Sequence, residues 1–218
     1  MGNGNSGLYF SKMQVEDPSN TPPTDLDGLL RQLEEEGLAH DTAQSEHRNK
    51  RLNLESPTAR LLQLFLLAGR RRRVLEIGTS NGFSALWIAD ALRRISGAQP
   101  LTSVERDPER AAQAQRNLAR SGLDSWVSVR VGEATGIVAH LPGPFDAVFF
   151  DADRVSAPAQ LELLLPKLES DVLLLADNAL SHPGEIAGYL EAVGRLPGFV
   201  STIVPVGKGL HVAHRLMP

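Results

Sequence analysis

The residues able to do chemistry in this 218-residue chain gather where apolar runs end. Val74-Leu75-Glu76-Ile77 breaks into the small loop Gly78-Thr79-Ser80-Asn81-Gly82 and resumes as Phe83-Ser84-Ala85, while Leu101 to Glu105, Phe145 to Asp151 and Val172 to Asp177-Asn178 each close on an acid. A parallel strand that passes through glycines into a helix offers backbone N–H groups and the positive end of the helix dipole to a nucleotide-like ligand. Ligands of an open parallel sheet bind outside the carboxyl ends of its strands, so these four ends predict one small-molecule site along a sheet edge. The spacing G-x-x-x-G, in place of G-x-G-x-x-G, argues against a dinucleotide pyrophosphate.

Holding those ends in line requires alternating strands and helices, and the chain from Arg73 onward supplies them. The pattern predicts strands over 73–77, 101–105, 126–131, 145–150 and 171–176, with helices over 82–95, 108–120, 134–140, 157–168 and 183–195. Strands apolar on both faces and separated by helices make an α/β fold with a mainly parallel, covered sheet. Phe199 to Val204 and Leu210 to Arg215 are joined only by Pro205-Val206-Gly207-Lys208-Gly209, which makes a hairpin and an antiparallel last strand.

Upstream, Leu26, Leu29, Leu30 and Leu33 keep helical spacing behind Thr24 as N-cap, with Gly37 as the expected end. Ala39 to Arg51 reads as a polar connector. Ser56-Pro57 then opens a helix whose Leu61, Leu62, Leu64, Phe65 and Leu66 make it apolar on most sides, which predicts burial. Residues 1–24, rich in Gly, Asn, Ser and Pro with Tyr9 and Phe10 as anchors, read as a flexible arm or one held by a partner. A single domain follows over 25–218, with N-terminal helices in 25–68 and the sheet core in 73–215.

Composition narrows the chemistry. A hydrophobic content of 42% suffices for one core, and the absence of cysteine excludes disulfides, thiolate metal sites and a cysteine nucleophile, so any metal sits on oxygen or imidazole. A formal charge of −4 argues against a nucleic-acid partner, and the one basic run, Arg70 to Arg73, suits the C-terminal end of a helix dipole. No apolar run approaches the ~20 residues of a membrane span, and Met1 to Ser6 lacks the basic and apolar regions of a secretion signal, so the expected location is the cytoplasm.

A parallel sheet closed by an antiparallel hairpin, with these residues at its edge, resembles the S-adenosylmethionine-dependent methyltransferases over roughly residues 56–215. More narrowly, the chain is similar to the cation-dependent O-methyltransferases of the catechol and caffeoyl-CoA type. The match is carried by VLEIGTSNGFSALWIADAL, by Glu105 in TSVERDP, by Gly132-Glu133-Ala134, by FDAVFFDADR, by LLLADNAL and by PVGKGLHVAHR. It implies the Rossmann-like class I methyltransferase fold: seven strands, mostly parallel, with an antiparallel C-terminal hairpin strand and helices on both faces.

The resemblance also implies S-adenosyl-L-methionine as cofactor, held by Asn53, Leu54, Glu76, Gly78, Thr79, Ser80, Gly82, Ser84, Glu105, Arg106, Gly132, Glu133, Ala134 and Asp151. Glu105 would accept hydrogen bonds from the ribose hydroxyls; capping the helix at Pro108 is the alternative, a task Asp107 already offers. Gly78 and Gly82 would let the backbone approach the methionine part and Ser84 would hold its carboxylate, unless the segment is a plain strand-to-helix turn. Asn53 and Leu54 match the segment that folds over the cofactor, with Glu133 and Ala134 beside the adenine. Asp151, Asp177 and Asn178 would hold Mg²⁺ or another divalent cation, or else each caps a helix or turn. Two adjacent hydroxyls of a catechol would join that cation, which would lower a hydroxyl pKa ahead of in-line methyl transfer.

Two positions depart from the family's pattern. Arg154 stands where the family places the lysine taken as general base, and a guanidinium with a pKa above ~12 cannot abstract a proton. Arg154 then either stabilises the oxyanion while water takes the proton, or His182, beside Pro183 at a helix start, acts as base, or transfer is lost. Lys208 replaces a common acid in the closing hairpin. His211 and His214 face opposite sides of a strand, which suits packing better than metal binding.

The leading expectation is therefore an O-methyltransferase acting on a small catechol-like or hydroxylated aromatic substrate. A metal-independent methyltransferase and a non-catalytic cofactor-binding partner protein remain as alternatives, and a hydride-transferring dehydrogenase fits poorly. The resemblance further implies a homodimer built on the helix at 57–68 and the N-terminal arm.

Overall fold

The computed structural model describes residues 25–44 and 53–216; the expectations for the arm 1–24 and for residues 45–51 of the connector fall outside them. Strands β1 (Val74–Ile77), β2 (Leu101–Glu105), β3 (Val127–Val131), β4 (Phe145–Phe150) and β5 (Leu168–Ala176) run parallel, and β6 (Phe199–Val204) and β7 (Leu210–Arg215) close the sheet antiparallel. Their order is β3-β2-β1-β4-β5-β7-β6, so the chain reverses its direction of travel across the sheet between β1 and β4. This is the Rossmann-like arrangement expected from alternating apolar runs and helical patterns.

Among the described residues, seven α-helices cover the sheet: α1 (Leu26–Ala43), α2 (Ser56–Ala68), α3 (Phe83–Arg93), α4 (Pro108–Ser121), α5 (Ala134–His140), α6 (Ala157–Leu164) and α7 (Pro183–Gly194). Strand residues alternate between the two cores this creates. Ala147, Phe149, Leu173 and Leu175 pack with α1 to α4 on one face, while Val148, Phe150, Leu174 and Ala176 pack with α5 to α7 on the other. Both faces are buried, which is why the strands read as continuous apolar runs rather than as alternation.

Register places the chemistry. Ile77 pairs with Val104 on one side and Phe150 on the other, and Phe150 pairs with Ala176. Gly78, Glu105, Asp151 and Asp177 each follow one of these paired residues directly, so they emerge in one row at the carboxyl edge.

Four expectations need correction. Gly37 does not end α1, which runs on to Ala43; it is buried where a Cβ would come within 2.5 Å of Asn53 Nδ2, so it serves close approach rather than termination. Asp25, not Thr24, occupies the N-cap position. The helix expected to reach 168 stops at Leu164, and Pro166, which has no N–H to donate, sits in a 3₁₀ turn that leads into β5 three residues earlier than expected. Helix α2 buries one face, through Thr58, Ala59, Leu62 and Leu66, and leaves Leu64 54% exposed, so it is less enclosed than its composition suggested. Among the described residues, no helix is long and apolar enough to cross a membrane.

Candidate active site

The loop from β1 to α3 is held against both neighbours. Gly78 has φ +108° and a Cβ there would collide with the Asp151 carbonyl oxygen at the end of β4. Gly82, with φ +88°, caps α3 where a Cβ would lie 3.1 Å from Ala114 Cα of α4. Gly78 and Thr79 donate to the Val104 carbonyl at 2.9 and 3.2 Å, and Asn117 Nδ2 donates to the Asn81 carbonyl at 2.9 Å. Ser80 has φ +49°, an uncommon conformation for a residue with a side chain, and together with Asn178 it places backbone strain at this edge of the sheet.

Beneath the loop, Glu76 is fully buried. Ser103 Oγ donates to its Oε2 at 2.5 Å, Thr79 Oγ1 lies 2.5 Å from the same Ser103 oxygen, and Ser84 also hydrogen-bonds the carboxyl. Burial pushes Glu76 up to about 7; the hydrogen bonds from Ser103 and Ser84 oppose that rise, and the nearby Glu105 charge adds to it. Its other oxygen, Oε1, is buried with no partner.

Glu105 takes one backbone donor on each oxygen: Ser80 N on Oε2 at 2.8 Å and Asp107 N on Oε1 at 2.9 Å. A carboxylate accepts at about four lone-pair sites, so a fixed pair of acceptor positions is left for a diol. The helix-capping alternative belongs to Asp107, whose Oδ1 accepts from Glu109 N at 2.8 Å and Arg110 N at 3.3 Å. Gly132 N donates to the Glu105 carbonyl at 2.8 Å, which brings Gly132, Glu133 and Ala134 beside Glu105. Arg106 and Glu133 are exposed, and Asn53 turns its amide to the Leu33 carbonyl at 3.0 Å, with Leu54 buried beside it.

Asp151, Asp177 and Asn178 converge at the ends of β4 and β5. Asn178 Nδ2 donates to Asp177 Oδ2 at 2.8 Å and lies 3.4 Å from Asp151 Oδ1, while Asn178 Oδ1 accepts from Ser181 Oγ at 3.3 Å. Asn178 reaches this position with φ +70°. Burial raises Asp151 well above the usual carboxylate range, and the Asp177 and Glu76 charges push in the same direction. Burial likewise raises Asp177 to about 6, and Asp177 Oδ1 has no partner. Among the described residues, no three His, Cys, Asp or Glu side chains gather as a metal cluster; this trio has two carboxylates and an amide.

With that geometry in view, a family model described as "Methyltransferase domain" matches residues 75–179. A catechol O-methyltransferase from Niastella koreensis is 32% identical over 159 residues, covering 71% of either chain. One from Mycobacterium tuberculosis is 35% identical over 156 residues, covering 65% of this chain and 69% of its own. The O-methyltransferase TomG from Streptomyces achromogenes, solved with S-adenosylmethionine, superposes with a TM-score of 0.69 at 25% identity, covering 90% of this chain and 92% of its own. The chain belongs to the catechol O-methyltransferase-like family of S-adenosylmethionine-dependent O-methyltransferases.

Within such an enzyme, the two expected catalytic groups are both engaged. Arg154 Nε donates to Glu185 Oε2 of α7 at 3.0 Å, and Nη2 lies 2.8 Å from the same oxygen. His182 holds the N-cap position of α7, with Nδ1 2.8 Å from Ser181 Oγ. Lys208 Nζ pairs with Glu55 Oε1 at 3.2 Å, and both charges reach Asp177, Glu55 raising its pKa and Lys208 lowering it. His211 is buried against Tyr189 and pushed down to about 4 by burial, whereas His214 on the opposite side of β7 is partly exposed.

Sequence reasoning missed Ser103, Glu55 and Glu185. Ser103 carries a usable signal, a hydroxyl inside an apolar run beside another acid-bearing strand. Glu185 is 31 positions from Arg154, and nothing local in the chain predicts that contact.

Proposed function

We propose that this methyltransferase acts on a hydroxyl of a small catechol-like or hydroxylated aromatic acceptor, with Mg²⁺ or a similar divalent ion held by Asp151, Asp177 and Asn178. The observation that carries the reading is the pair of desolvated carboxylates, one with the buried, unpartnered Oδ1 of Asp177, at the strand ends beside the glycine loop. Two like charges so placed call for a counter-cation, and hard oxygen donors suit one that keeps positions open for other oxygens. Such a cation would supply the positive charge that acidifies an acceptor hydroxyl.

The chain's own residues do the rest. Glu105 accepts the ribose hydroxyls of the cofactor, and the Gly78 to Gly82 backbone with Ser84 receives its amino-acid end, above the buried Glu76. Arg154, permanently charged, stabilises the developing oxyanion while water carries off the proton, and His182 stays outside that step. The catechol-named relatives support the acceptor class. The homodimer through α2 that the family resemblance implies belongs to the same proposal.

Calorimetry of cofactor and catechol, with and without Mg²⁺, on wild type and Asp177→Ala tests this. The expected result is cofactor binding in both proteins and catechol binding that needs Mg²⁺ and vanishes in the variant. Catechol binding indifferent to Mg²⁺ rejects the cation and favours metal-independent transfer. Cofactor binding with no methyl transfer across a catechol panel favours the non-catalytic reading that Arg154 motivates.

A further inference from the structure

Arg154 belongs to the segment that follows Asp151, and that segment is internally ordered: Asp153 accepts from Val155 N at 3.1 Å and from Ser156 Oγ at 2.5 Å. The Arg154 side chain is 18% exposed and lines a hollow with Ile77, Phe150 and Ala176 at the strand ends and Ile186 and Tyr189 of α7. Among the described residues its ionic partner is Glu185, whose one oxygen takes both Nε and Nη2 and leaves Nη1 outside the contact. Phe150 and Ala176 of that hollow directly precede Asp151 and Asp177, so the Arg154 side chain stands at the strand ends from which both acids emerge.

We propose that Glu185 is a positioning residue that fixes the guanidinium of Arg154 toward the acceptor oxygen beside Asp151 and Asp177. The inference rests on the acceptor reading given above. An unrestrained arginine loses rotamer freedom when it is fixed, and a contact already made within the protein removes part of that cost from the binding step. Glu185 also carries a negative charge, which screens Arg154; positioning and screening therefore make opposite predictions when Glu185 is truncated.

The test uses 4-nitrocatechol, whose ionised form is read by absorbance, bound to the full chain with Mg²⁺ and S-adenosylhomocysteine. Positioning predicts that Glu185→Ala weakens binding of the ionised ligand about five-fold, that Glu185→Gln, which keeps an acceptor oxygen, changes it less than about two-fold, and that Glu185→Ala has no further effect in an Arg154→Ala background. Cofactor affinity stays constant throughout. Tighter binding in Glu185→Ala overturns the proposal in favour of screening, and an effect that persists without Arg154 overturns it in favour of a structural role for Glu185. If wild type does not bind 4-nitrocatechol, the chelation reading itself fails. If wild type binds but Arg154→Ala matches it, the acceptor role of Arg154 fails instead.

Discussion

Glu76 offers the sharpest quantitative check, because it sits fully buried under the glycine loop with one unpartnered oxygen. Its pKa rises from the ordinary 4.5 to about 7 on folding. Below 4.5 the carboxyl is protonated in both states and costs nothing. Between 4.5 and 7 the unfolded chain ionises while the folded one keeps its proton, so the unfolded state binds fewer protons and stability falls as pH rises. At roughly 1.4 kcal/mol per pH unit, the rise comes to about 3 kcal/mol, fully expressed above pH ~7.5. Glu76→Gln cannot ionise, so the cofactor-free variant is expected to match wild type near pH 5 and to exceed it by up to about 3 kcal/mol at pH 8, less what the amide loses in fit. Urea unfolding of both proteins at intervals from pH 5 to 8 measures this directly. Cofactor titrations should show the complementary behaviour: wild-type affinity for S-adenosylmethionine rises as Glu76 ionises and can pair with the ligand's ammonium, and that rise disappears in the variant. Parallel stability curves for the two proteins would refute the reasoning.

Two further outcomes follow from packing and charge. Gly78→Ala combines a positive φ with a collision against the Asp151 carbonyl, so we expect a loss of about 3 kcal/mol and a melting point lowered by roughly 6–12 °C, with cofactor affinity falling in parallel. Lys208→Met removes a half-exposed ion pair and is expected to cost only about 0.5–1 kcal/mol in urea unfolding, most of it recovered when Glu55→Lys is combined with Lys208→Glu; failure of the exchanged pair to recover stability would show that the contact with Glu55 is incidental.

The fold was legible wherever one element carried its own period. Apolar runs gave β1 to β5, and the five residues between β6 and β7 forced their antiparallel pairing. Errors arose where a residue answers to a distant neighbour. Gly37 looks like a helix stop in isolation, yet it is small because Asn53 packs onto it. Pro166 lies inside an apolar helical pattern and still ends it, because the missing N–H outweighs the periodicity.

The site divides along the same line. Asp151 and Asp177 were visible because burial of an acid opposes folding: an apolar run that continues into a carboxylate instead of turning away to solvent is not explained by packing, and a place where local physics is violated is where function is expected. Glu185 is half-exposed and costs nothing to place at the start of a helix, where an acid also suits the dipole, so no violation marks it. Its meaning exists only once α7 docks beside the Asp151 segment and delivers it to Arg154. A sequence therefore betrays the residues whose placement is costly, and it hides the inexpensive partners that orient them.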